Sequence, residues 1–109
     1  MKRGEVWWVN FGPSVGGEIR KRRPAIVISN DLSNKFLNRV QVVPLTSNTG
    51  KCYPSEALVT VKRRQSKAMA DQIMTVSKMR LINLEGKISA PDLRKVQDAI
   101  LIQLGMQFS

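Results

Sequence analysis

Short apolar runs recur along the first three quarters of the chain, and turn-forming residues separate them. The first run, Glu5 to Asn10 (EVWWVN), is rich in the β-branched and aromatic residues that are typical of strands. Trp7 and Val9 alternate with Trp8, so at least one tryptophan is expected to point inward. Later runs with strand-like composition, the last holding one or two strands, are Pro24 to Ser29, Val40 to Leu45, Ala57 to Val61 and Ala68 to Val76.

Glycine, proline and small polar residues mark the connections between these runs. Phe11 to Arg22 is rich in glycine and predicts a long loop, which is a common location for functional residues. Asn30 to Ser33 predicts a turn, and Asn48 to Pro54 predicts a second loop. Because proline cannot donate to a sheet ladder, Pro44 indicates an edge position or a bulge near the end of its strand.

The end of the chain has a helical period. Ser89 is a suitable N-cap, and Pro91 and Asp92 suit a first helical turn. Gly105 can end the helix in the left-handed conformation. The apolar positions, spaced by three and four residues, are Leu93, Val96, Ile100 and Leu104.

Several short strands followed by one amphipathic helix predict a mainly β fold with a C-terminal helix. A small barrel or a strongly curved sheet, with the helix against one side, satisfies this order. A chain of 109 residues can bury one core but not two independent ones. We therefore expect a single domain over residues 1–109.

The charge is strongly positive and unevenly distributed. Eighteen Lys and Arg stand against eight Asp and Glu, for a net charge of +10. Residues 1–80 carry 15 basic and five acidic groups, whereas residues 81–109 carry three of each. Such a field attracts polyanions, above all nucleic acid phosphates. We favour a nucleic acid partner over the alternative of a merely solubilising surface.

The sequence predicts a cytoplasmic protein without a membrane partner. Its longest apolar runs, such as Ala25 to Ile28, fall far short of the roughly 18 residues that span a bilayer. No signal-peptide stretch follows the basic start, Met1 to Arg3. Cys52 is the only cysteine, so no intrachain disulfide is possible, and we expect it to be a spectator thiol.

Several catalytic classes are excluded by residue types alone. The chain contains no histidine, so it cannot cut RNA with a histidine pair, and one cysteine leaves no plausible zinc site. Phosphate-loop, dinucleotide-binding and HExxH motifs do not occur. We expect neither a metal nor a cofactor.

Two segments combine the groups that hold a phosphate. Glu18 to Ser29 (EIRKRRPAIVIS) places a glutamate and four basic residues where a glycine-rich loop enters a buried strand. Val42 to Asn48 (VVPLTSN) ends a strand in hydroxyl and amide side chains. Cations that face hydroxyls at a neighbouring strand end can bind and polarise a phosphate.

Four blocks together resemble the MazF/PemK family of toxins: MKRGEVWWVNF, RRPAIVISND, VVPLTSN and AMADQIMTVSKMRL. They follow the family's order and cover nearly the whole chain. The resemblance implies an SH3-like, or CcdB/PemK-type, small barrel that forms a homodimer and cuts single-stranded RNA at short sequences. It also implies inhibition by a cognate antitoxin, whose acidic segment lies over the RNA groove.

The resemblance assigns the principal catalytic pair to Arg23 and Thr46, and it aligns the loop glutamate with Glu18. RNA supplies its own nucleophile, the 2′-hydroxyl, so the enzyme need only align it and stabilise the phosphorane. A guanidinium stays protonated in proteins, so Arg23 is expected to stabilise charge, not to accept a proton. Ser47 is expected to assist Thr46. Glu18 either takes the 2′-hydroxyl proton or orients Arg23.

The candidate RNA contacts are mostly basic, and plain solvated charge explains several of them equally well. Gln72 resembles a family position near the groove, although a polar residue that pairs strands is an equal explanation. The complete set is Arg20, Lys21, Arg22, Lys62, Arg63, Arg64, Lys67 and Gln72.

A non-catalytic protein of the same fold is the main alternative. It would be either a gyrase poison, expected to act through its C-terminal helix, or an RNA-binding module. Neither needs Arg23 and Thr46 together, so that pair separates the two hypotheses.

Overall fold

A computed structural model of the chain describes residues 1–12 and 21–106, and of Lys21 it describes the backbone alone. Within these ranges the chain forms seven strands and two α-helices. The strands are β1 (Glu5–Gly12), β2 (Lys21–Val27), β3 (Arg39–Thr46), β4 (Glu56–Val61), β5 (Arg64–Met69), β6 (Met74–Ser77) and β7 (Leu81–Lys87). The helices are α1 (Asp31–Phe36) and α2 (Ala90–Gln103). The predicted mainly β fold with a C-terminal helix is confirmed.

One antiparallel sheet contains all seven strands. Its order is β4-β5-β3-β2-β1-β7, and β6 pairs with the first half of β3. The strand β3 changes partner along its length: Val42 is its last residue paired with β6, and Leu45 is its first paired with β5. Pro44 lies between them, where no ladder bond to either strand is needed, and it is fully buried. The expected edge position for Pro44 is therefore wrong.

The sheet curls until its two outer strands meet. An added Cβ at Gly86 of β7 would lie 3.5 Å from Cγ1 of Val61 at the end of β4. Next to this contact, Lys62 Nζ lies 3.4 Å from Glu85 Oε1. The curled sheet is thus a small barrel with a narrow seam between β4 and β7.

Both faces of the curled sheet bury apolar side chains. The larger core lies between the sheet and α2, with Val6, Ile26, Leu45, Val59 and Val96 at its centre. The smaller core lies on the other face, where Trp7 and Phe11 cover a group of buried aliphatic residues. This second group consists of Val9, Ala25, Val27, Val40, Val42 and Val76.

The C-terminal helix begins and ends as its sequence predicts. The Ser89 hydroxyl accepts a hydrogen bond from Asp92 N at 3.2 Å, and Gly105 follows the helix with φ of +69°. Val96 and Ala99 are buried against the larger core. Leu104 lies beyond the last helical residue and is 56% exposed, so its predicted place on the apolar face is wrong.

Two elements were missed by the sequence pattern. Asn30 caps the short helix α1 through a bond from Ser33 N at 2.9 Å, where the sequence predicted a turn. The strand β7 was not predicted because all seven of its residues are exposed or half-buried, and its sequence has no alternating apolar signal. In the part of the chain that the structure covers, no helix has the length and apolarity to cross a bilayer.

The buried side chain of Asn34 fixes α1 to the sheet. Its Nδ2 donates to Ser29 O at 2.8 Å and to Asp31 Oδ1 at 3.2 Å, and its Oδ1 accepts from the Ser29 hydroxyl. Ser29 Oγ also accepts from Gln41 N at 3.0 Å, which links the cluster to β3.

Replacing Asn34 by alanine should lower the free energy of unfolding by about 2 kcal/mol, because buried partners on Ser29 lose their hydrogen bonds. Urea denaturation followed by far-ultraviolet circular dichroism measures this. Lys35→Ala is the matched control on the same helix, since Lys35 is exposed. Equal stabilities of the two variants would contradict a structural role for the Asn34 cluster.

Candidate active site

A cleft of about 700 Å³ opens where the β4–β5 hairpin crosses the ends of β2 and β3. One wall comes from β1 and β7, and the other comes from the hairpin. Its polar and charged lining groups include four cations and two hydroxyl residues at the strand ends, namely Arg22, Arg23, Lys62, Arg64, Thr46 and Ser47. The structure therefore brings Arg23 and Thr46 into one cleft, as the sequence predicted.

Arg23 is held by β2 with part of its guanidinium buried. Its backbone pairs with Val9 of β1, and its Nη1 donates to Leu45 O at 3.5 Å, one residue before Thr46. Its Nε is buried and has no hydrogen-bond partner among the described residues. A buried N–H without a partner is destabilising by about 1–3 kcal/mol, so such groups are uncommon in folded proteins. The described residues therefore leave the Arg23 guanidinium only partly bonded, through one long contact from Nη1.

Thr46 reaches the same cleft from the end of β3. The register of β2 and β3 pairs Ala25 with Pro44, so Arg23 and Thr46 each lie two residues beyond that pair. The Thr46 Oγ1 accepts a hydrogen bond from Asn48 N at 3.2 Å. Because this bond uses an oxygen lone pair, the hydroxyl proton remains available to a ligand oxygen. Ser47 lies next to it and is exposed.

The β4–β5 hairpin presents cations over the cleft through a strained turn. Lys62 and Arg63 have φ of +49° and +66°, as in a two-residue turn that normally favours asparagine and glycine. Lys62 and Arg64 line the cleft, whereas the exposed Arg63 lies at the tip between them. These positions fit the predicted contacts with a phosphate backbone.

Lys67 does not fit its predicted contact with RNA. It is 8% exposed, and its Nζ lies 3.4 Å from Glu56 Oε2. It also donates to Lys51 O at 2.6 Å, while Glu56 Oε1 accepts from Tyr53 N at 2.9 Å. The ion pair therefore fixes the loop between β3 and β4, which begins with Ser47 directly after Thr46.

The remaining predicted residues lie away from the cleft or outside the described ranges. Gln72 is half-buried in a 3₁₀ turn, Ala70–Gln72, which packs against α2 and does not line the cleft. Glu18, Arg20 and the side chain of Lys21 lie outside the described residues.

A carboxylate that the sequence did not indicate also lines the cleft. Glu85 of β7 accepts a hydrogen bond from Trp8 Nε1, and Trp8 lines the cleft beside it. This hydrogen bond lowers the pKa of Glu85 below its ordinary value; Lys62 and Arg64 act in the same direction, while burial opposes them. Glu85 was missed because β7 was missed. Of the two tryptophans, Trp7 packs against the smaller core, as expected for one of them.

Cys52 is exposed in the loop between β3 and β4, and its Sγ lies 3.9 Å from Tyr53 O. Among residues 1–12 and 21–106, no three histidine, cysteine, aspartate or glutamate side chains come together as metal ligands would.

Replacing only one member of the Glu56–Lys67 ion pair should lower the free energy of unfolding more than replacing both. Lys67→Met leaves a carboxylate that is only 13% exposed, so we expect a loss of about 3 kcal/mol in unfolding free energy. The double variant Glu56→Leu, Lys67→Met should recover most of it. Arg94→Met, which opens the exposed pair with Asp98, should change stability by less than about 1 kcal/mol. Denaturant unfolding of the native protein and the three variants decides this, and a double variant no more stable than Lys67→Met would contradict it.

Known proteins resemble this chain over nearly its full length. The model of the family described as "PemK-like, MazF-like toxin of type II toxin-antitoxin system" matches residues 2–104. Endoribonuclease MazF9 of Mycobacterium tuberculosis is 36% identical, over 97% of this chain and 98% of its own. Endoribonuclease EndoA of Bacillus subtilis is 32% identical, over 97% and 96%.

Solved structures agree with the sequence comparisons. A crystal structure of MazF from Deinococcus radiodurans superposes with a TM-score of 0.85 at 28% identity, covering 97% of each chain. A MazE–MazF structure from the same organism gives a TM-score of 0.77 at 30% identity and covers 98% of each chain. The predicted CcdB/PemK-type fold is confirmed, and the chain belongs to the family of PemK-like, MazF-like toxins of type II toxin–antitoxin systems.

Proposed function

We propose that this chain is the endoribonuclease toxin of a toxin–antitoxin pair, acting as a single domain over residues 1–109. It cuts single-stranded RNA at short sequences and thereby inhibits translation and growth. The observation that carries the proposal is the half-buried Arg23, with an Nε that lacks a partner among the described residues, in one cationic cleft with Thr46. The names of the M. tuberculosis and B. subtilis relatives support the same activity.

The reaction uses the nucleophile that RNA already carries. The 2′-oxygen forms a bond to phosphorus as the bond from phosphorus to the 5′-oxygen breaks, which leaves a 2′,3′-cyclic phosphate and a 5′-hydroxyl. Arg23 donates from its fork to the non-bridging oxygens, whose charge rises in the phosphorane. Thr46, assisted by Ser47, donates a hydrogen bond to a second oxygen. This assignment calls for no metal or cofactor.

Two proton transfers complete the reaction. One proton leaves the 2′-hydroxyl, and we assign its acceptor to Glu18 on the resemblance to the family. Another must reach the 5′-oxygen, and we assign its donor to Arg23, whose Nη1 donates to the carbonyl of Leu45, the residue before Thr46. A guanidinium cannot accept the 2′-hydroxyl proton because it is already protonated in proteins. After Arg23 gives a proton to the leaving oxygen, it regains one from solvent and Glu18 releases its own. Arg23 therefore acts as an electrostatic and donor group.

The RNA path follows the cations on the cleft rim. Arg22, Lys62 and Arg64 line the cleft, and Arg63 extends the positive surface along the hairpin tip. Phosphate contacts of this kind set position and affinity without reading sequence. Arg20 and Lys21 precede them on the same segment and are assigned the same role.

The same positive surface suits a protein partner. We propose that a cognate antitoxin covers the cleft with an acidic segment, and that the toxin is a cytoplasmic homodimer. The net charge of +10 favours an acidic partner. MazE–MazF structures from D. radiodurans, at 26% and 30% identity to this chain, support an antitoxin of this kind.

Arg23→Ala should lower kcat/KM for cleavage of a short RNA by about 100-fold or more, because it removes the main stabiliser of the phosphorane. Arg23→Lys should recover only part of this, because lysine keeps the charge but loses the fork. Arg94→Ala on α2 is the matched control, since it removes one arginine outside the cleft. Single-turnover kinetics on a fluorescent oligonucleotide give the rates. A near-normal rate for Arg23→Ala would place the chemistry elsewhere.

Replacing only the scissile nucleotide by its 2′-deoxy form should abolish cleavage at that site, while a 2′-deoxy nucleotide three positions away should not. Cutting should persist in EDTA, and the products should carry a cyclic phosphate detectable by mass spectrometry. Continued cleavage at the deoxy site would refute attack by the 2′-hydroxyl. Intact RNA together with inhibited DNA supercoiling would instead favour a gyrase poison.

A further inference from the structure

Among the described residues that line the cleft, Glu85 is an anion beside four cations. It lies in an irregularity of β7: Val6 of β1 pairs with Gly86, and Trp7 pairs with Leu84, so Glu85 has no opposite residue. An extra residue of this kind is a β-bulge, which redirects a side chain and is common beside functional sites. Here the redirected carboxylate lines the cleft.

Trp8 holds this carboxylate and borders the catalytic strand. Its Nε1 donates to Glu85 Oε2, while its backbone pairs with Pro24, the residue after Arg23. The indole is half-buried and lines the cleft. Indole rings stack well on nucleobases of every kind. The Trp8 ring, with the Glu85 carboxylate at its edge, therefore lies next to the β1–β2 residue pair that contains Arg23.

Lys62 and Trp8 do not exhaust the acceptor capacity of Glu85. Its Oε1 lies 3.4 Å from Lys62 Nζ, and its Oε2 accepts from Trp8. A carboxylate offers about four lone-pair sites, so each oxygen retains one. A phosphate is repelled by this group, whereas an N–H edge of a base is attracted. The lowered pKa keeps it ionised and acceptor-only near neutral pH.

We infer that Trp8 and Glu85 form a base-reading subsite beside the scissile phosphate, and that it prefers guanine. The inference rests on the proposed endoribonuclease function. Guanine presents two adjacent donors on its Watson–Crick edge, N1–H and N2–H, which match the two carboxylate oxygens. Adenine and cytosine present one amino group each. Uracil presents its single N3–H between two carbonyls that a carboxylate repels, so it is the disfavoured base.

The test maps cut sites of the purified protein on a pool of unstructured RNAs with randomised sequence. The native protein should show one position, at a fixed distance from the cut, where guanine is favoured over uracil by about 10-fold or more. Glu85→Gln should reduce this ratio to near 1 at that position only, because glutamine also offers a donor that uracil accepts. Preferences at other positions should remain.

Two further variants test whether the base preference depends on Glu85 and its contact with Trp8. Asp98→Asn changes the charge by the same amount on α2, outside the cleft, and should leave all preferences intact. Trp8→Phe keeps an aromatic face but removes the donor to Glu85, so it should reduce the guanine preference even if Glu85→Gln folds poorly. Circular dichroism and thermal melting establish that each variant is folded.

The possible outcomes distinguish a failure of this inference from a failure of the proposed endoribonuclease function. If the native protein cuts no RNA, the proposed function fails. If the native protein cuts RNA but no position favours guanine over uracil, the inference alone fails. The same holds if Glu85→Gln slows cutting equally at every sequence, because Glu85 then acts on rate and not on base choice. Loss of preference at one position in both Glu85→Gln and Trp8→Phe supports the subsite.

Discussion

The contact between β4 and β7 is the constraint on which the cleft depends. The sheet must curl far enough for Val61 to reach Gly86, where even one added carbon would be in van der Waals contact. The change of partner along β3 permits this curl, because one strand serves β6 at its start and β5 at its end. The curl brings the hairpin cations over the ends of β2 and β3. The β2–β3 register places Arg23 beside Thr46, and the β4–β7 contact encloses the pair in a cleft although it involves neither of them.

Several groups around the cleft lie in environments or backbone conformations that destabilise the folded state. A buried Arg23 Nε lacks a partner within the described residues, and Lys62 and Arg63 occupy a turn that suits asparagine and glycine. Each feature opposes folding by a modest amount. Strain that persists in a small domain commonly marks a functional site, because the rest of the fold holds it in place. Here the strained and unpartnered groups are cationic and cluster about one cleft.

The elements that could be predicted from the sequence are those with strong local patterns. Strands with buried aliphatic runs and the capped helix α2 were found, and the family blocks placed Arg23 and Thr46 together. Helix α1 was missed because asparagine suits both a turn and an N-cap. Lys67 was predicted to contact RNA, as Lys62 was, because both are basic. Only the tertiary fold shows that Lys67 is buried in an ion pair with Glu56. Glu85 could not be predicted as a cleft residue, because a bulge has no sequence signature of its own and β7 lacks apolar alternation.

A cleft lined only by cations would bind any RNA with similar strength, because phosphates carry no sequence information. Selectivity needs groups that contact base edges, and an ionised carboxylate is one that attracts their N–H groups while it repels phosphates. Its placement costs little here, since Lys62 and Trp8 already compensate the charge. A bulge in β7 supplies this group without altering the strands that hold Arg23 and Thr46. Base choice then arises from β1 and β7, whereas the phosphate contacts come from β2 and the β4–β5 hairpin, and Lys62 couples the two because it pairs with Glu85.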